Sequence, residues 1–301
     1  MNVIRLISLV ALIVAACSAV AADSNVIATI PITMQRGQIM VPARVNDSEP
    51  LSFMLDTGFS MTMLKPELAE KMKLARVGEI TVEGIAGEER TTTYEGAVFN
   101  LDGASYSPRR VAGMTATRRR RDGILGSGLF RQYVLCVDVS AKTLTIISPT
   151  NFNYTGKGEV VPLRFPRRRT TPVIDALIQL TNGVTVKGAF EVDTGCDSGV
   201  CLGSDFARTN NLIGVDATHS GSKFGVGGGA ITRSGHLPLL RIGGSSIERP
   251  ETEFFLDGSP AGRGLAGHIG MEVWKRFRVY FDYPRQRMIL ETTGSAAARK
   301  Q

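Results

Sequence analysis

Residues 51–64 read LSFMLDTGFSMTML and residues 187–202 read KGAFEVDTGCDSGVCL. Each closes an apolar run with the same tripeptide, Asp56-Thr57-Gly58 in the first and Asp193-Thr194-Gly195 in the second. A carboxylate at the end of a buried strand is costly to ionise unless it is paired or hydrogen-bonded, so two in matching settings call for one shared explanation. An acid/base dyad is that explanation. The repeat also extends beyond the tripeptide. Asp193 follows Asp56 by 137 positions, Ser204 follows Pro66 by 138, and Gly270 and Asp282 follow Gly126 and Asp138 by 144 each. Small insertions in surface loops account for the drift, so the chain reads as two copies of one structural unit, each supplying one aspartate.

Outward from the tripeptides, both halves repeat one order of elements. QIMVPARV, an Asn46-Asp47 turn and LSFML climb to Asp56; TPVIDALIQL, a Thr181-Asn182-Gly183 turn and VTVKGAFEV climb to Asp193. Asn-Gly is a strong hairpin signal, so each aspartate is expected just past the second strand of a hairpin. Gly58 and Gly195 allow the loop an unusual backbone conformation or the close approach of another segment. Short helices are expected from Lys65, with Pro66 as a start signal, and from Ser204. Glycine-rich stretches follow at Gly84 to Gly87 and at 225–229, beginning 28 and 32 residues past their aspartates. No helix opens behind either one, which argues against phosphate cradles and for flaps over a cleft. Gly84, Gly87 and Gly227 are therefore assigned to substrate contact.

Each half then closes alike, in DGILGSGLFRQYVLCVDVSAKTLTI (122–146) and AGHIGMEVWKRFRVYFDYPRQRMIL (266–290): a short helix, a strand carrying an aspartate, a turn and a last strand. The expected organisation is a signal peptide over 1–22, a first lobe over 24–150, a linker over 151–159, a second lobe over 160–293 and a disordered tail over 294–301. Short apolar runs rich in Val, Ile, Thr and Phe, broken by 33 glycines and 13 prolines, make the protein all-β.

The N-terminus has one positive charge, Arg5, then an apolar stretch and small residues, the layout of an export signal. The chain is expected to be periplasmic or secreted. Ala19-Val20-Ala21 offers an ordinary cleavage site; Val14-Ala15-Ala16-Cys17 offers a lipobox, and only lipidation at Cys17 would bring the protein to a membrane. Only residues 23–34 separate that signal from the first clear strand, so no long N-terminal pro-segment is expected. Cys196 and Cys201 are close enough in sequence to form a disulfide, whereas Cys136, inside VLCVDV, reads as a small core residue. His219, His236 and His268 lie far apart and show no metal-ligand spacing, so neither a metal nor another cofactor is expected, and a Ser-His hydrolase has little to work with. The net charge of +7 sits largely in arginine runs at 118–121 and 167–169. Neither run is interleaved with aromatics as a nucleic-acid reader would be, and both read as solvated loops.

With these motifs in hand, the chain resembles the aspartic proteases. The paired Asp-Thr-Gly loops, followed at a distance by Ile124-Leu125-Gly126 and His268-Ile269-Gly270, match the family pattern over nearly all of the mature chain. The resemblance implies a bilobal, pepsin-like architecture of two retropepsin-like β-barrel lobes with an active-site cleft between them. It implies Asp56 and Asp193 as catalytic residues and Thr57 and Thr194 interlocking beneath them, with Gly126 and Gly270 bracing the loops. Ser60 and Asp197 are implied as substrate contacts, the latter in the manner of the retroviral enzymes. Tyr94 reads either as a flap tyrosine or as an ordinary strand residue. Two departures stand out: Phe59 and Cys196 occupy positions where relatives carry a hydroxyl, and His268 replaces an apolar residue. Loss of a hydroxyl donor to the carboxylates is expected to move the active range from strongly acidic toward near-neutral pH.

The expected function is an aspartic endopeptidase, monomeric, acting on peptide or protein substrates without a cofactor, metal or nucleic acid. The alternative is a non-catalytic peptide-binding or inhibitor protein on the same fold. An envelope scaffold or small-ligand protein would leave the doubled loops unexplained.

Overall fold

A computed structural model describes residues 25–84, 87–114, 121–166, 170–213, 219–225, 227–262 and 264–292. The signal peptide with Cys17, the tail over 294–301, the run at 167–169 and most of the run at 118–121 lie outside the described residues. The fold is all-β. The helices are short, Pro66–Lys71 and Ser127–Gln132 in the first half and Ser204–Thr209 and Met271–Trp274 in the second.

The internal repeat is visible strand for strand. In the first lobe the sheet runs Ala75–Gly84, Gly87–Glu95, Val111–Gly113, Met63–Leu64, Gly123–Leu125, Leu51–Leu55, Gln38–Val45, Phe99–Leu101, Ala104–Tyr106. In the second it runs His219–Gly225, Gly228–His236, Glu251–Phe255, Val200–Leu202, Gly267–Ile269, Thr185–Val192, Val173–Gln179, Leu239–Ile242, Ser245–Glu248. The two orders correspond position by position. Each places the strand that ends in an aspartate between its antiparallel hairpin partner and a short parallel strand, Gly123–Leu125 or Gly267–Ile269. The hairpin before Asp193 turns where Asn-Gly predicts, with Gly183 at φ +83° and the Asn182 side chain accepting from the Val184 N–H.

A third sheet joins the halves. Val26–Pro31, Thr143–Ile147 and Val134–Asp138 from the first half continue through Phe277–Asp282 and Arg287–Thr292 of the second to Glu159–Pro162. The central pair is antiparallel, with Leu135 opposite Phe281 and Asp138 opposite Arg278. The segment expected as a linker contributes to this platform: Phe152 is buried against Val134, Cys136 and Ile289, and Glu159 opens the outermost strand. One hydrophobic core runs from the first lobe through this sheet into the second, and Trp274, fully buried, donates its indole N–H to the Ile269 carbonyl.

Candidate active site

The two Asp-Thr-Gly loops meet where the lobe sheets face each other. Asp56 N–H donates to the Leu125 carbonyl and Asp193 N–H to the Ile269 carbonyl, both at 3.0 Å, so each aspartate is hung from the short parallel strand beside it. Beneath them the threonines cross the lobe boundary. Thr57 Oγ1 donates to the Val192 carbonyl (2.6 Å) and accepts from the Thr194 N–H (2.9 Å). Thr194 Oγ1 donates to the Leu55 carbonyl (2.9 Å) and accepts from the Thr57 N–H (3.0 Å). All four groups are buried, so each lobe needs the other to satisfy its own backbone.

The glycines explain why the tripeptide is needed. A Cβ placed on Gly58 would stand 2.6 Å from Asp193 Oδ1, and one on Gly195 would run into the carboxylate of Asp56. Neither glycine has a positive φ. Close approach is therefore what excludes a side chain, and each loop packs its bare backbone against the opposite carboxylate. Gly126 and Gly270 do the same one layer down: a Cβ on Gly126 would meet the Phe59 carbonyl at 2.7 Å, and one on Gly270 the Cys196 carbonyl at 2.8 Å. Ser127 N–H and Met271 N–H donate to those same carbonyls at 2.9 Å.

The two carboxylates differ in surroundings. Asp56 accepts one backbone N–H, from Gly58 at 2.9 Å. Burial and the neighbouring Asp193 hold its carboxyl well above the usual range, only partly offset by Arg121 and the Gly58 N–H. Asp193 accepts two, from Gly195 (2.8 Å) and Cys196 (3.1 Å), and its Oδ2 lies 3.2 Å from Nδ1 of His268.

Several residues near the two aspartates were not legible as such. Arg121, expected to lie in a solvated loop, is buried, with Nη1 donating to Gln38 Oε1 (3.3 Å) and contacting Met54 Sδ (2.7 Å). Within a run of four arginines, sequence alone does not single out Arg121. Gln38 in turn donates through its side chain to the Gly195 carbonyl, tying the first lobe's hairpin to the second loop.

His268 is buried, with Nε2 making no hydrogen bond among the described residues. Burial works against its charge, but Cys196, Asp193 and Glu191 outweigh this and push its pKa up to about 10. Cys201 stands directly opposite His268 in the sheet, and its sulfur lies 3.8 Å from that of Cys196, the two residues being free thiols. Donor atoms of Cys196, Cys201 and His268 all fall within 4.8 Å of one another, a set suited to a metal. Sequence spacing misses this set because strand register, not chain distance, brings His268 to Cys201.

The two glycine-rich hairpins, Ala75–Gly84 with Gly87–Glu95 and His219–Gly225 with Gly228–His236, touch at their tips. A Cβ on Gly87 would stand 3.6 Å from the Gly227 carbonyl oxygen, and one on Gly227 would collide with the Gly87 backbone. Tyr94 lies in the core, opposite Val111, and is a strand residue. Ser60 is exposed beside the first loop, its carbonyl accepting from Ser127 Oγ (2.9 Å). Asp197 is engaged by Lys223 of the second flap at 3.2 Å.

Residues 41–129 match the family described as aspartyl protease. Among solved structures, the crystal structure of aspartic proteinase from Irpex lacteus superposes with a TM-score of 0.57 at 18% identity, covering 91% of this chain and 99% of that one. No curated protein sequence matches significantly.

Proposed function

From a chain with the pepsin-like aspartic proteinase fold and an aspartyl protease match in its first lobe, we propose an aspartic endopeptidase in which Asp56 and Asp193 activate water together. The observation that carries this reading is the reciprocal packing of Gly58 on Asp193 and Gly195 on Asp56, which leaves two carboxylates side by side. Two such groups cannot both ionise readily, so the pair holds one proton. Asp56, with the deeper burial and the single backbone donor, keeps it; the partner draws a proton from a water between them as that water attacks the peptide carbonyl. Asp56 polarises the same carbonyl and stabilises the oxyanion. The proton shared by the dyad then passes to the departing amine. The touching flaps support an extended peptide enclosed beneath them, and the N-terminal pattern supports an exported enzyme.

The test is digestion of casein or a peptide library with and without pepstatin, alongside Asp56→Asn and Asp193→Asn. Each substitution is expected to lower kcat on the order of 10⁴-fold or more, because the dyad works as a unit. Pepstatin binding without cleavage by the wild type would instead establish a non-catalytic peptide binder.

A further inference from the structure

The internal repeat supplies its own control for the cluster beside Asp193. Cys196 corresponds to Phe59 of the first lobe, each three residues past its aspartate, and Cys201 and His268 correspond to Met63 and Ile124 by the pairings Met63 with Ile124 and Cys201 with His268. In the first lobe these three positions belong to one apolar cluster with Met40, Met54 and Met114. Packing at this place in the fold therefore needs neither a thiol nor an imidazole, thioether sulfur and hydrocarbon sufficing in the first lobe. In the second lobe all three positions carry metal-ligand side chains, Cys201 and His268 are buried, and His268 Nε2 makes no hydrogen bond among the described residues.

The spacing fits one class of ion. Two thiolates at about 2.3 Å from a tetrahedral zinc stand about 3.8 Å apart, and the two sulfurs are separated by 3.8 Å. Two sulfurs and an imidazole select a borderline-soft divalent cation over magnesium or calcium. Three protein ligands leave a fourth position. The carboxylate nearest the ring is that of catalytic Asp193, 3.2 Å from His268 Nδ1. If Nε2 binds the metal, Nδ1 is held on Asp193 as in carboxylate-histidine-zinc arrangements; if Nδ1 binds, Asp193 itself is in reach. In the first case the metal fixes the ring that holds Asp193, and in the second it reaches Asp193 directly.

We propose that Cys196, Cys201 and His268 form a zinc site behind the second loop, whose occupancy restrains Asp193 and holds the protease inactive. The inhibitory part rests on the catalytic reading of Asp193; the metal site does not. Binding displaces protons from the ligands, so the test is made on reduced, chelator-treated full-length protein near neutral pH.

Cobalt(II) is added as the spectroscopic stand-in. One equivalent is expected to give thiolate-to-cobalt charge transfer and the intense visible bands of tetrahedral cobalt, bleached by zinc. His268→Ile and Cys201→Met, which copy the first lobe's residues, and Cys196→Ser, at the least buried ligand, should each lose the spectrum. Cys136→Ser should keep it. A weak octahedral spectrum, no binding by the reduced wild type, or a spectrum surviving His268→Ile overturns the site. One equivalent of zinc should abolish cleavage by the wild type, reversibly with chelator, and spare any ligand variant that retains activity. A tetrahedral spectrum with undiminished cleavage overturns the link to Asp193. A protein that never cleaves refutes the catalytic reading while the cobalt spectrum still decides the metal site.

Discussion

Thr57 occupies a position where one hydroxyl does two jobs in the partner lobe, donating to the Val192 carbonyl and accepting from the Thr194 N–H. Thr57→Ala leaves both groups buried and unsatisfied, at about 1–3 kcal/mol each, so a loss of about 2–6 kcal/mol is expected by denaturant melting, with a fall in kcat. Thr57→Ser keeps the hydroxyl and should stay close to wild type. Phe59 bears on pH. With no hydroxyl after Gly58 and with burial raising Asp56, the protonated member of the proposed dyad should keep its proton to higher pH than in a hydroxyl-bearing site. The raised carboxyl supplies its proton below its pKa and loses it as pH climbs through that value. The basic limb of kcat/KM should therefore lie in the weakly acidic to near-neutral range and move down in Phe59→Ser. A wild-type optimum below about pH 3, or an upward move in the variant, contradicts this.

At the scale of elements, the paired flaps are the feature with the clearest consequence. Gly227 sits at φ +84° with its α-carbon against the Gly87 backbone, so a methyl group there meets both backbone strain and a collision. Gly227→Ala should separate the tips and raise KM on the order of tenfold, since closing segments over a cleft govern substrate retention. Gly183 is the matched control. It has φ +83° but open space around it, on a hairpin turn. Gly183→Ala should cost about 1 kcal/mol of stability without touching KM.

Across the whole molecule, the six-stranded sheet makes the two lobes one folding unit, and Asp138 is its polar fastening. Its carboxylate accepts from Ser140 Oγ (2.6 Å), Ala141 N–H (2.9 Å) and, across the lobe boundary, Arg278 Nε (2.8 Å). Burial opposes its charge, yet these partners outweigh it and hold the carboxyl below its usual pKa. A depressed carboxylate contributes stability above its unfolded pKa of about 3.9 and loses it as pH falls through the folded value. Asp138→Ala should cost about 2–4 kcal/mol at neutral pH and melt with a weaker acid dependence than wild type. An unchanged acid dependence would count against this role. Asp282, the repeat's equivalent, is tied instead to Arg285 and Arg287 of its own hairpin, so among the described residues it is Asp138 of the matched pair that pairs with an arginine across the lobe boundary.

The sequence by itself determined the doubled unit, the hairpin leading to each aspartate and the short helices, and the family resemblance added the bracing glycines. These follow from local signals: apolar alternation, Asn-Gly turns, Pro66 at a helix start, and matched spacings that a repeat must preserve. Tertiary structure decided what depends on atoms brought together across the lobes or across a sheet. Gly58 and Gly195 are glycines because of the opposite carboxylate, a fact that no local pattern carries. Arg121 could not be told from its basic neighbours until its side chain was seen among Gln38 and Met54. His268 read as a packing irregularity, and only strand register set it against Cys201, where a buried ring and two thiols share a space that the first lobe fills with methionine, isoleucine and phenylalanine side chains.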